Sequence, residues 1–525
     1  MNISPATPWP FQKVLIANRG EIAVRIIRAC RELGLTSVAV YSEADRQSLH
    51  VRMADEAYFI GPAPASQSYL HIPTLLEAAQ RSGAQAVHPG YGFLSENAHF
   101  VDACVKAGLI FIGPSAALQR AVGEKTAARN TARLADVPIV PGALLDGLDE
   151  TAISNMAVQI GYPLLLKAAA GGGGKGIRFV RDPSALHSSL RTARSEAKSA
   201  FGDERVYMEK AVSPARHIEV QFIADTHGNV VHLGERECSI QRRHQKLIEE
   251  SPSPVLDAEL RERMTSATVN LIRSIGYVNA GTAEFLLGSD RNFYFLEINA
   301  RIQVEHPVTE WCTGLDLVQE QFRVAAGLPL SFTQEQVVFR GAAIECRISA
   351  EDPENRFLPA TGMVQALQEP SGPGVRVDSG LYAGLQVPLY YDPLLSKLIV
   401  WGQDRSHAIA RMRRALDEYH IAGVRTTLPF ARWLMDQPRY IAGDFSTDFI
   451  AEEWGDKGRL KEATLVEPEE TPTEIDPAQV AALVGALLMH EHAQDEQARR
   501  QPVNEETGES SRWRMAGRME SVRRI

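Results

Sequence analysis

Short apolar runs alternate with amphipathic stretches over the first hundred residues, from Phe11 to about Pro114. Strands are predicted at Val14–Ala17, Ser37–Tyr41, Ala86–His88 and Ile110–Ile112. Between the first two, Glu21–Leu33 carries apolar residues at helical spacing and predicts a helix. This alternation predicts a parallel sheet with helices on its faces, in a Rossmann-like N-terminal domain. The first turn after a strand, residues 18–20 (Asn-Arg-Gly), lacks the GxGxxG pattern, so dinucleotide binding is not predicted.

The pattern changes in the next part of the chain. A helix is predicted over Lys125–Ala135, and Pro138 and Pro141 mark the break after it. A small segment follows at about Val140–Glu209, and then a larger region rich in strand signals from about Lys210 to Trp454. No internal repeat is found in the sequence. We therefore expect an α/β and α+β multi-domain protein.

The last seventy residues differ in character. Glu462–Asp476 is acidic, contains proline and is poor in apolar residues, which predicts a solvated linker. A helix then follows from Asp476-Pro477, with one apolar stripe formed by Val480, Leu483, Val484, Leu487 and Leu488. The final stretch, Arg512–Ile525, is basic. Two interpretations stay open: the helix docks on its own protein, or it is a docking arm for another subunit.

Composition and charge restrict the class of protein. The chain has 525 residues, 44% of them hydrophobic, and a formal charge of −10, which argues against a disordered chain and against a global basic surface for nucleic acid or membrane. No secretory signal and no apolar run of membrane-spanning length is found. The five cysteines are widely spaced and include no CxxC, which is typical of reduced thiols. We expect a cytoplasmic protein without nucleic acid or membrane partners.

The strongest local signal is a glycine run that follows a predicted strand. The strand ends at Lys167, and the loop continues into Gly171, Gly172, Gly173 and Gly174. Glycine lets backbone N–H groups approach an anion closely, and Lys167 would add a positive charge. The segment is not GxxxxGK[ST], so a Walker-type site is excluded. The sequence predicts phosphate contact here, with a flexible turn as the alternative.

The second signal is a pair of acidic strands. Thr282–Leu287 and Phe293–Asn299 are joined by a turn-like segment at 288–292, so a hairpin would place Glu284 nearly opposite Glu297. Two carboxylates at that spacing repel each other, and a hard cation such as Mg²⁺ relieves the repulsion. The sequence therefore predicts a metal site, unless the register turns one glutamate toward water.

Polar residues then continue at every second position beyond Glu297. In an extended segment these residues share one face, which would form one wall of a cleft, unless the row is only a solvated strand edge. Along that wall we expect a metal ligand, a cation for an oxyanion, an amide and a general base, supplied in order by Asn299, Arg301, Gln303 and Glu305. A dense basic run, Gln241–Lys246, is a further candidate, although such a run taken alone is more often a solvated face.

Together these motifs resemble the biotin carboxylase component of biotin-dependent carboxylases, within the ATP-grasp superfamily. The segments that carry the resemblance are Ile16–Cys30, His88–Asn97, Lys167–Gly176, Glu235–Lys246, Glu297–Glu310 and Glu345–Asp352. The resemblance extends from about Phe11 to about Trp454. It implies a Rossmann-like N-terminal domain at 11–124, an ATP-grasp region at 125–345 with a mobile B subdomain at about 140–209, and a β-rich C-terminal domain at 346–454. Residues 455–525 would form the acidic linker, helix and basic tail.

The resemblance also implies roles for individual residues. ATP would be bound by Lys125, Lys167, the four glycines Gly171–Gly174, Glu209, Lys210, His217 and His244. The metal, Mg²⁺ or Mn²⁺, would be held by Glu284, Glu297 and Asn299. Bicarbonate and biotin would be bound by Lys246, Arg301, Gln303, the backbone of Val304, and Arg347. Glu305 would act as the base toward bicarbonate, and Arg347 would stabilise the biotin enolate.

The implied activity is the ATP-dependent carboxylation of biotin by bicarbonate through carboxyphosphate, the first half-reaction of an acyl-CoA carboxylase of the acetyl-CoA or propionyl-CoA type. No Ala-Met-Lys-Met biotinylation motif occurs in the sequence, so biotin is expected on a separate carrier protein, and the further partner would be a carboxyltransferase subunit. The protein is expected as a homodimer or in a larger complex. Two alternatives are another ATP-grasp ligase that joins a carboxylate to an amine, and a scaffold without catalysis.

Overall fold

The computed structural model describes residues 9–168 and 178–455. Its first part contains a parallel sheet in the order β3-β2-β1-β4-β5, which confirms the predicted alternation. The strands are β1 (Lys13–Ile16), β2 (Thr36–Ser42), β3 (Glu56–Gly61), β4 (Ala86–His88) and β5 (Ile110–Phe111). The helices are α1 (Gly20–Glu32), α2 (Leu49–Met53), α3 (Ile72–Ser82), α4 (Ala98–Lys106) and α5 (Ala116–Gly123).

Strand β3 is absent from the sequence-based prediction. It lies at the sheet edge, and residues 56–59 alternate between partly buried and exposed positions, with Phe59 46% exposed. An edge strand with one face toward solvent lacks the continuous apolar run that marks the buried strands.

The next part is a small antiparallel sheet in the order β6-β9-β7-β8. Apolar side chains of its strands and helices, among them Ile153, Leu164, Leu190 and Met208, form one core cluster. The elements are α6 (Lys125–Leu134), β6 (Gly142–Leu144), α7 (Glu150–Ile160), β7 (Leu164–Ala168), β8 (Arg178–Val180), α8 (Leu186–Phe201) and β9 (Val206–Lys210). The predicted glycine loop, Gly171–Gly174, lies outside the described residues.

The central strands and helices follow in the chain. They are β10 (Ala215–Ala224), β11 (Val230–Arg242), β12 (Gln245–Ser251), α9 (Ala258–Ser274), β13 (Asn279–Gly288), β14 (Phe293–Asn299), α10 (His306–Thr313), α11 (Leu317–Ala325) and β15 (Ala342–Ser349). The last elements are β16 (Glu351–Asp352), β17 (Leu358–Pro359), β18 (Gly362–Met363), β19 (Ala366–Gln368), β20 (Val375–Ser379), β21 (Gln386–Val387), β22 (Leu394–Gly402), α12 (Arg405–Glu418), β23 (His420–Ala422), α13 (Leu428–Met435), α14 (Pro438–Ile441) and α15 (Phe449–Glu453).

An antiparallel sheet joins the central and C-terminal parts, in the order β14-β13-β10-β11-β12-β15-β22-β20. Strand β15 pairs with β12 on one side and β22 on the other, and it contains the predicted boundary at 345/346. One face of the site is therefore built on a single hydrogen-bonded sheet. No helix in the described part of the chain is long and apolar enough to cross a membrane. Apart from Gly455, the predicted C-terminal tail lies outside the described residues.

Candidate active site

Strands β13 and β14 form the predicted hairpin. Their register places Glu284 directly opposite Glu297, and the turn is closed by a hydrogen bond from the Gly288 N–H to the Asn292 carbonyl (2.9 Å). Directly opposed residues of an antiparallel pair share one face of the sheet. Both carboxylates line the same large cleft. The alternative register, which would turn one glutamate toward water, is therefore not adopted.

Lys246, at the start of β12, is the central cation of the cleft. Its Nζ lies 2.5 Å from Oε2 of Glu219, 2.9 Å from Oε1 of Glu284 and 2.6 Å from Oε1 of Glu305. It also donates to Oε1 of Gln303 at 3.1 Å. Burial alone would lower the pKa of Lys246, but the carboxylates raise it well above its usual range. The side chain is therefore a fixed positive charge at neutral pH.

Glu219 and Arg236 complete this centre, although neither was predicted from the sequence. Arg236 is fully buried and donates to Oε1 of Glu219 (2.5 Å), to Gln221 (2.7 Å) and to the hydroxyls of Thr282 (3.2 Å) and Thr309 (3.1 Å). Glu219 thus bridges Arg236 and Lys246. The sequence does hold a signal for it: polar residues recur at every second position of β10, among apolar ones.

His217 belongs to the same row on β10. Its Nε2 lies 3.0 Å from Oε2 of Glu284. Burial lowers the pKa of His217, but Glu284 outweighs this effect and raises it above its usual value. Burial likewise raises the pKa of Glu284, yet Lys246 and His217 together lower it well below its usual range. Glu284 is therefore ionised and is held by Lys246 and His217.

The segment after Asn299 is not an extended strand, and this part of the prediction is wrong. The β13–β14 ladder ends at the pair Thr282–Asn299, so no partner strand keeps the chain extended beyond it. Instead, Glu96 binds the Ala300 N–H (2.9 Å) and Nε of Arg301 (2.9 Å), and the chain bends and turns before α10. The side chains of Asn299, Arg301, Gln303 and Glu305 nevertheless all line the cleft, together with Val304.

Glu305 is held between two cations. Its Oε1 contacts Lys246, and its Oε2 accepts a hydrogen bond from Nη2 of Arg347 at 2.8 Å. Burial raises the pKa of Glu305, but Lys246 and then Arg347 lower it well below its usual range. Arg347 also donates to Oε1 of Glu249 at 2.6 Å, and burial raises the pKa of Glu249 to about 7. Glu249 is a further residue of the site that was not predicted from the sequence.

The opposite wall of the cleft comes from the small sheet. Lys167 of β7 lines the cleft and forms an ion pair with Glu209 of β9, which also lies 3.3 Å from Arg129. Lys210 donates to the carbonyls of Gly161 (3.1 Å) and Tyr162 (2.6 Å). The side chains of Glu209 and Lys210 therefore support the sheet behind Lys167. Their contact with ATP stays a prediction.

The remaining predicted nucleotide ligands are His244 and Lys125. His244 lines the cleft, and its backbone φ is +65°, in the turn between β11 and β12. Burial and then Lys167 lower the pKa of His244, which indicates a neutral ring at neutral pH. Lys125 is the first residue of α6.

The cleft itself has a volume of about 1570 Å³, enough for a nucleotide and a second small substrate. The residues that line it include Lys167 of the small sheet, both glutamates of the acidic hairpin, Lys246 and Arg347. Of the predicted side chains that the structure describes, Glu209 and Lys210 are absent from this lining.

Comparison with known proteins gives matches along nearly the whole described chain. The model of the biotin carboxylase N-terminal domain matches residues 10–118, that of the carbamoyl-phosphate synthase L chain ATP-binding domain matches 124–333, and that of the biotin carboxylase C-terminal domain matches 345–452. Biotin carboxylase from Nostoc sp. is 53% identical over 84% of this chain and 99% of its own length. A pyruvate carboxylase subunit from Methanothermobacter thermautotrophicus is 53% identical over 84% of this chain and 90% of its own.

Two solved structures have similar folds. Biotin carboxylase from Campylobacter jejuni, in a β-γ-ATP complex, has a TM-score of 0.81 at 46% identity and covers 84% of this chain and 99% of that one. The biotin carboxylase domain dimer of Hydrogenobacter thermophilus 2-oxoglutarate carboxylase, in complex with MgADP, ADP and bicarbonate, has a TM-score of 0.79 at 46% identity, with 84% and 97% covered.

A lysine and carboxylate centre in a cleft between two antiparallel sheets, preceded by a parallel N-terminal sheet, defines an ATP-grasp ligase. The predicted fold is confirmed by these structures. The chain belongs to the biotin carboxylase family.

Proposed function

We propose that this enzyme uses ATP and bicarbonate to carboxylate biotin carried by a separate protein, as the first half-reaction of an acyl-CoA carboxylase of the acetyl-CoA or propionyl-CoA type. The observation that carries the proposal is the position of Lys246. Its ammonium lies in the cleft within hydrogen-bonding distance of the predicted base, Glu305, and of the predicted metal ligand, Glu284. One cation thus connects the predicted phosphate and bicarbonate ends of the site.

The acidic hairpin fits a divalent cation. Glu284 and Glu297 share a face and line the cleft, and Asn299, two residues further on β14, also lines it. Oxygen donors in this arrangement suit Mg²⁺ bound together with substrate phosphates. When bound, the ion would neutralise charge on the transferring phosphoryl group. We assign Glu284, Glu297 and Asn299 to this role and Lys167 to the phosphates.

The bicarbonate end is assigned to Lys246, Arg301, Gln303, the Val304 backbone and Glu305. An anion bound by Lys246 competes with Glu305 for the ammonium, and a weakened Lys246–Glu305 pair makes the carboxylate a stronger base. Glu305 then removes the bicarbonate proton, a bicarbonate oxygen attacks the γ-phosphorus, and ADP leaves. The product, carboxyphosphate, releases CO₂ and phosphate.

Carboxylation of biotin completes the proposed sequence. The released phosphate takes the N1′ proton of biotin, Arg347 stabilises the enolate oxygen, and N1′ attacks CO₂. This role of Arg347 is supported by its position in the lining of the cleft and by its contact with Glu305. Exclusion of water from the closed cleft would protect the intermediate.

The relatives support a carboxylase assembly but differ in the final acceptor. Their names include propionyl-CoA carboxylase alpha chain, from Ruegeria pomeroyi, and the pyruvate carboxylase subunit from Methanothermobacter thermautotrophicus. We propose that the partners are a biotin carboxyl carrier protein and a carboxyltransferase subunit, in a homodimer or larger complex. Co-purification of the native protein, followed by assay of the recovered complex with acetyl-CoA, propionyl-CoA and pyruvate, tests the acceptor: pyruvate as the preferred substrate contradicts the acyl-CoA assignment.

The activity is tested by ADP release in the presence of ATP, Mg²⁺, free biotin and bicarbonate. We expect ADP release that requires bicarbonate, incorporation of labelled bicarbonate into biotin, and loss of both in Lys246→Ala. Lys198→Ala is the matched control, because Lys198 is exposed and forms an ion pair with the exposed Glu204. ADP release that requires an amine in place of biotin indicates another ATP-grasp ligase, and no turnover under any condition indicates a scaffold.

A further inference from the structure

Lys397, on β22, is a buried lysine to which the proposed reaction gives no role. The residue is fully buried, although lysine is rarely buried without partners. Its Nζ donates to the Val304 carbonyl at 2.8 Å and lies 3.2 Å from Oε1 of Glu21, on the first turn of α1. It also lies 3.9 Å from Asp378 and 5.9 Å from the centre of the Tyr91 ring. One ammonium therefore joins the N-terminal domain, the C-terminal sheet and the turn before α10.

The other charges around Lys397 have additional partners. Asp378 accepts two hydrogen bonds from Arg376, at 2.9 and 2.7 Å, and Glu21 accepts one from the Tyr91 hydroxyl. Burial lowers the pKa of Lys397, but Glu21 and other carboxylates outweigh this effect and raise it. The lysine is therefore charged, and its short contact with Val304 is a charge-assisted hydrogen bond, which is stronger than a neutral one.

Val304 lies between the two side chains that bind Lys246. Gln303 and Glu305 both contact the Lys246 ammonium, and both line the cleft. The Gln303 carbonyl accepts from the His306 N–H at 3.3 Å and lies 2.7 Å from Nδ1 of His306, so it is held by the start of α10. The Val304 carbonyl is held instead by a side chain from a distant strand, across 93 positions of sequence.

We propose that Lys397 is a positioning residue that fixes the 303–305 turn and thereby sets the geometry of the bicarbonate pocket. The inference rests on the proposed function, because it assumes that this pocket takes bicarbonate. Lys397 acts through the backbone: when its ammonium is removed, the Val304 peptide can rotate, and Gln303 and Glu305 move relative to Lys246. The nucleotide end of the cleft, at Lys167, is not touched by this contact.

Three variants test the proposal. Lys397→Met keeps the length of the side chain but cannot donate a hydrogen bond. Lys397→Met combined with Glu21→Gln removes both charges of the ion pair, so that a folding defect from an unpaired buried carboxylate is avoided. Glu21→Gln alone is the matched control, because it disturbs the same ion pair but leaves the donor to Val304 in place. For each variant, the KM values for bicarbonate and ATP are measured by ADP release, with thermal unfolding as a check on the fold.

In both variants that lack Lys397 we expect the bicarbonate KM to rise by about tenfold, the effect of losing one charge-assisted hydrogen bond, with the ATP KM changed by less than about twofold. Glu21→Gln should keep the bicarbonate KM of the wild type. The proposal is overturned if the double variant keeps a wild-type bicarbonate KM, or if Glu21→Gln raises it as much as Lys397→Met. Failure of the proposed function is distinguishable, because the wild-type enzyme itself would then show no ADP release that depends on bicarbonate.

Discussion

The two ends of the cleft hold their lysines differently. Lys246 contacts three carboxylates and an amide, and its side chain is 11% exposed on a strand flanked by β11 and β15. Lys167 has twice that exposure, 22%, and its ion pair is with Glu209, on the small sheet. Because several partners fix Lys246, the proposed bicarbonate end is preorganised. Among the described residues, Lys167 exchanges one ion-pair partner, Glu209, when it binds a phosphate, so the proposed nucleotide end is suited to rearrange when substrate binds.

The largest effect is expected at Lys246. Lys246→Met leaves Glu219, Glu284 and Glu305 close together without their shared cation, so we expect kcat/KM for bicarbonate to fall at least about a hundredfold and the melting temperature to fall as well. Adding Glu219→Gln should recover part of the melting temperature by removing one repelling charge, but no activity. Recovery of activity in the double variant would show that Lys246 serves only to neutralise charge. ADP release and thermal unfolding measure both effects.

The acidic hairpin should give the next largest effect. Glu284→Gln and Glu297→Gln each keep the size of the side chain but remove an anionic oxygen ligand, so we expect about a tenfold or greater rise in the Mg²⁺ concentration needed for half-maximal ADP release. The titration is done at saturating ATP and bicarbonate. An unchanged Mg²⁺ requirement in both variants would contradict the assignment of the hairpin as the metal site.

At the nucleotide end, Lys167→Met should act on ATP alone. This substitution removes the proposed contact of the partly exposed Lys167 ammonium with an ATP phosphate. We therefore expect the ATP KM to rise about tenfold and the bicarbonate KM to stay nearly unchanged. Initial rates with each substrate varied in turn give both constants. If the bicarbonate KM rises equally, the two ends of the cleft are not independent, and the contrast between them fails.

The smallest expected effect concerns stability and pH at Glu21, which holds Lys397 from the N-terminal domain. Burial and then Asp378 raise the pKa of Glu21 from its ordinary value of 4.5 to about 7. The folded state therefore binds more protons than the unfolded chain between these values, and stability falls as pH rises from 4.5 toward 7. The glutamine of Glu21→Gln cannot ionise. The melting temperature of this variant minus that of the wild type should therefore increase by about 2 °C as the pH is raised from about 5 to about 8. A melting-temperature difference that stays constant across that pH range would contradict a raised pKa of Glu21.

Much of this architecture could be predicted from local patterns. The acidic hairpin follows from two β-rich runs around a polar turn, and the parallel N-terminal sheet follows from apolar runs between helical stretches. The segment after Asn299 could not be predicted correctly, because its bend depends on Glu96, about two hundred positions earlier in the sequence. Lys397 was missed for the same reason, since its partners are distant in sequence. Local periodicity describes strands and helices, whereas these contacts arise only from tertiary packing.

Glu219 is a different kind of omission. The alternation of polar residues along β10 is visible in the sequence, but its meaning depends on which strands flank it. Pairing with β13 places Glu219 opposite Glu284, and pairing with β11 places it opposite Arg236. The order of strands in the sheet, which no local pattern specifies, therefore turns a row of polar residues into a charged centre.

The most direct test of the account is a crystal structure of the enzyme with Mg²⁺, ADP and bicarbonate. We predict Mg²⁺ bound by the carboxylates of Glu284 and Glu297 beside the phosphates, and bicarbonate in contact with Lys246 and Arg301. The account would be contradicted by a structure in which a nucleotide is bound in the cleft, both glutamates lie away from any metal ion, and Glu284 is still paired with Lys246 and His217.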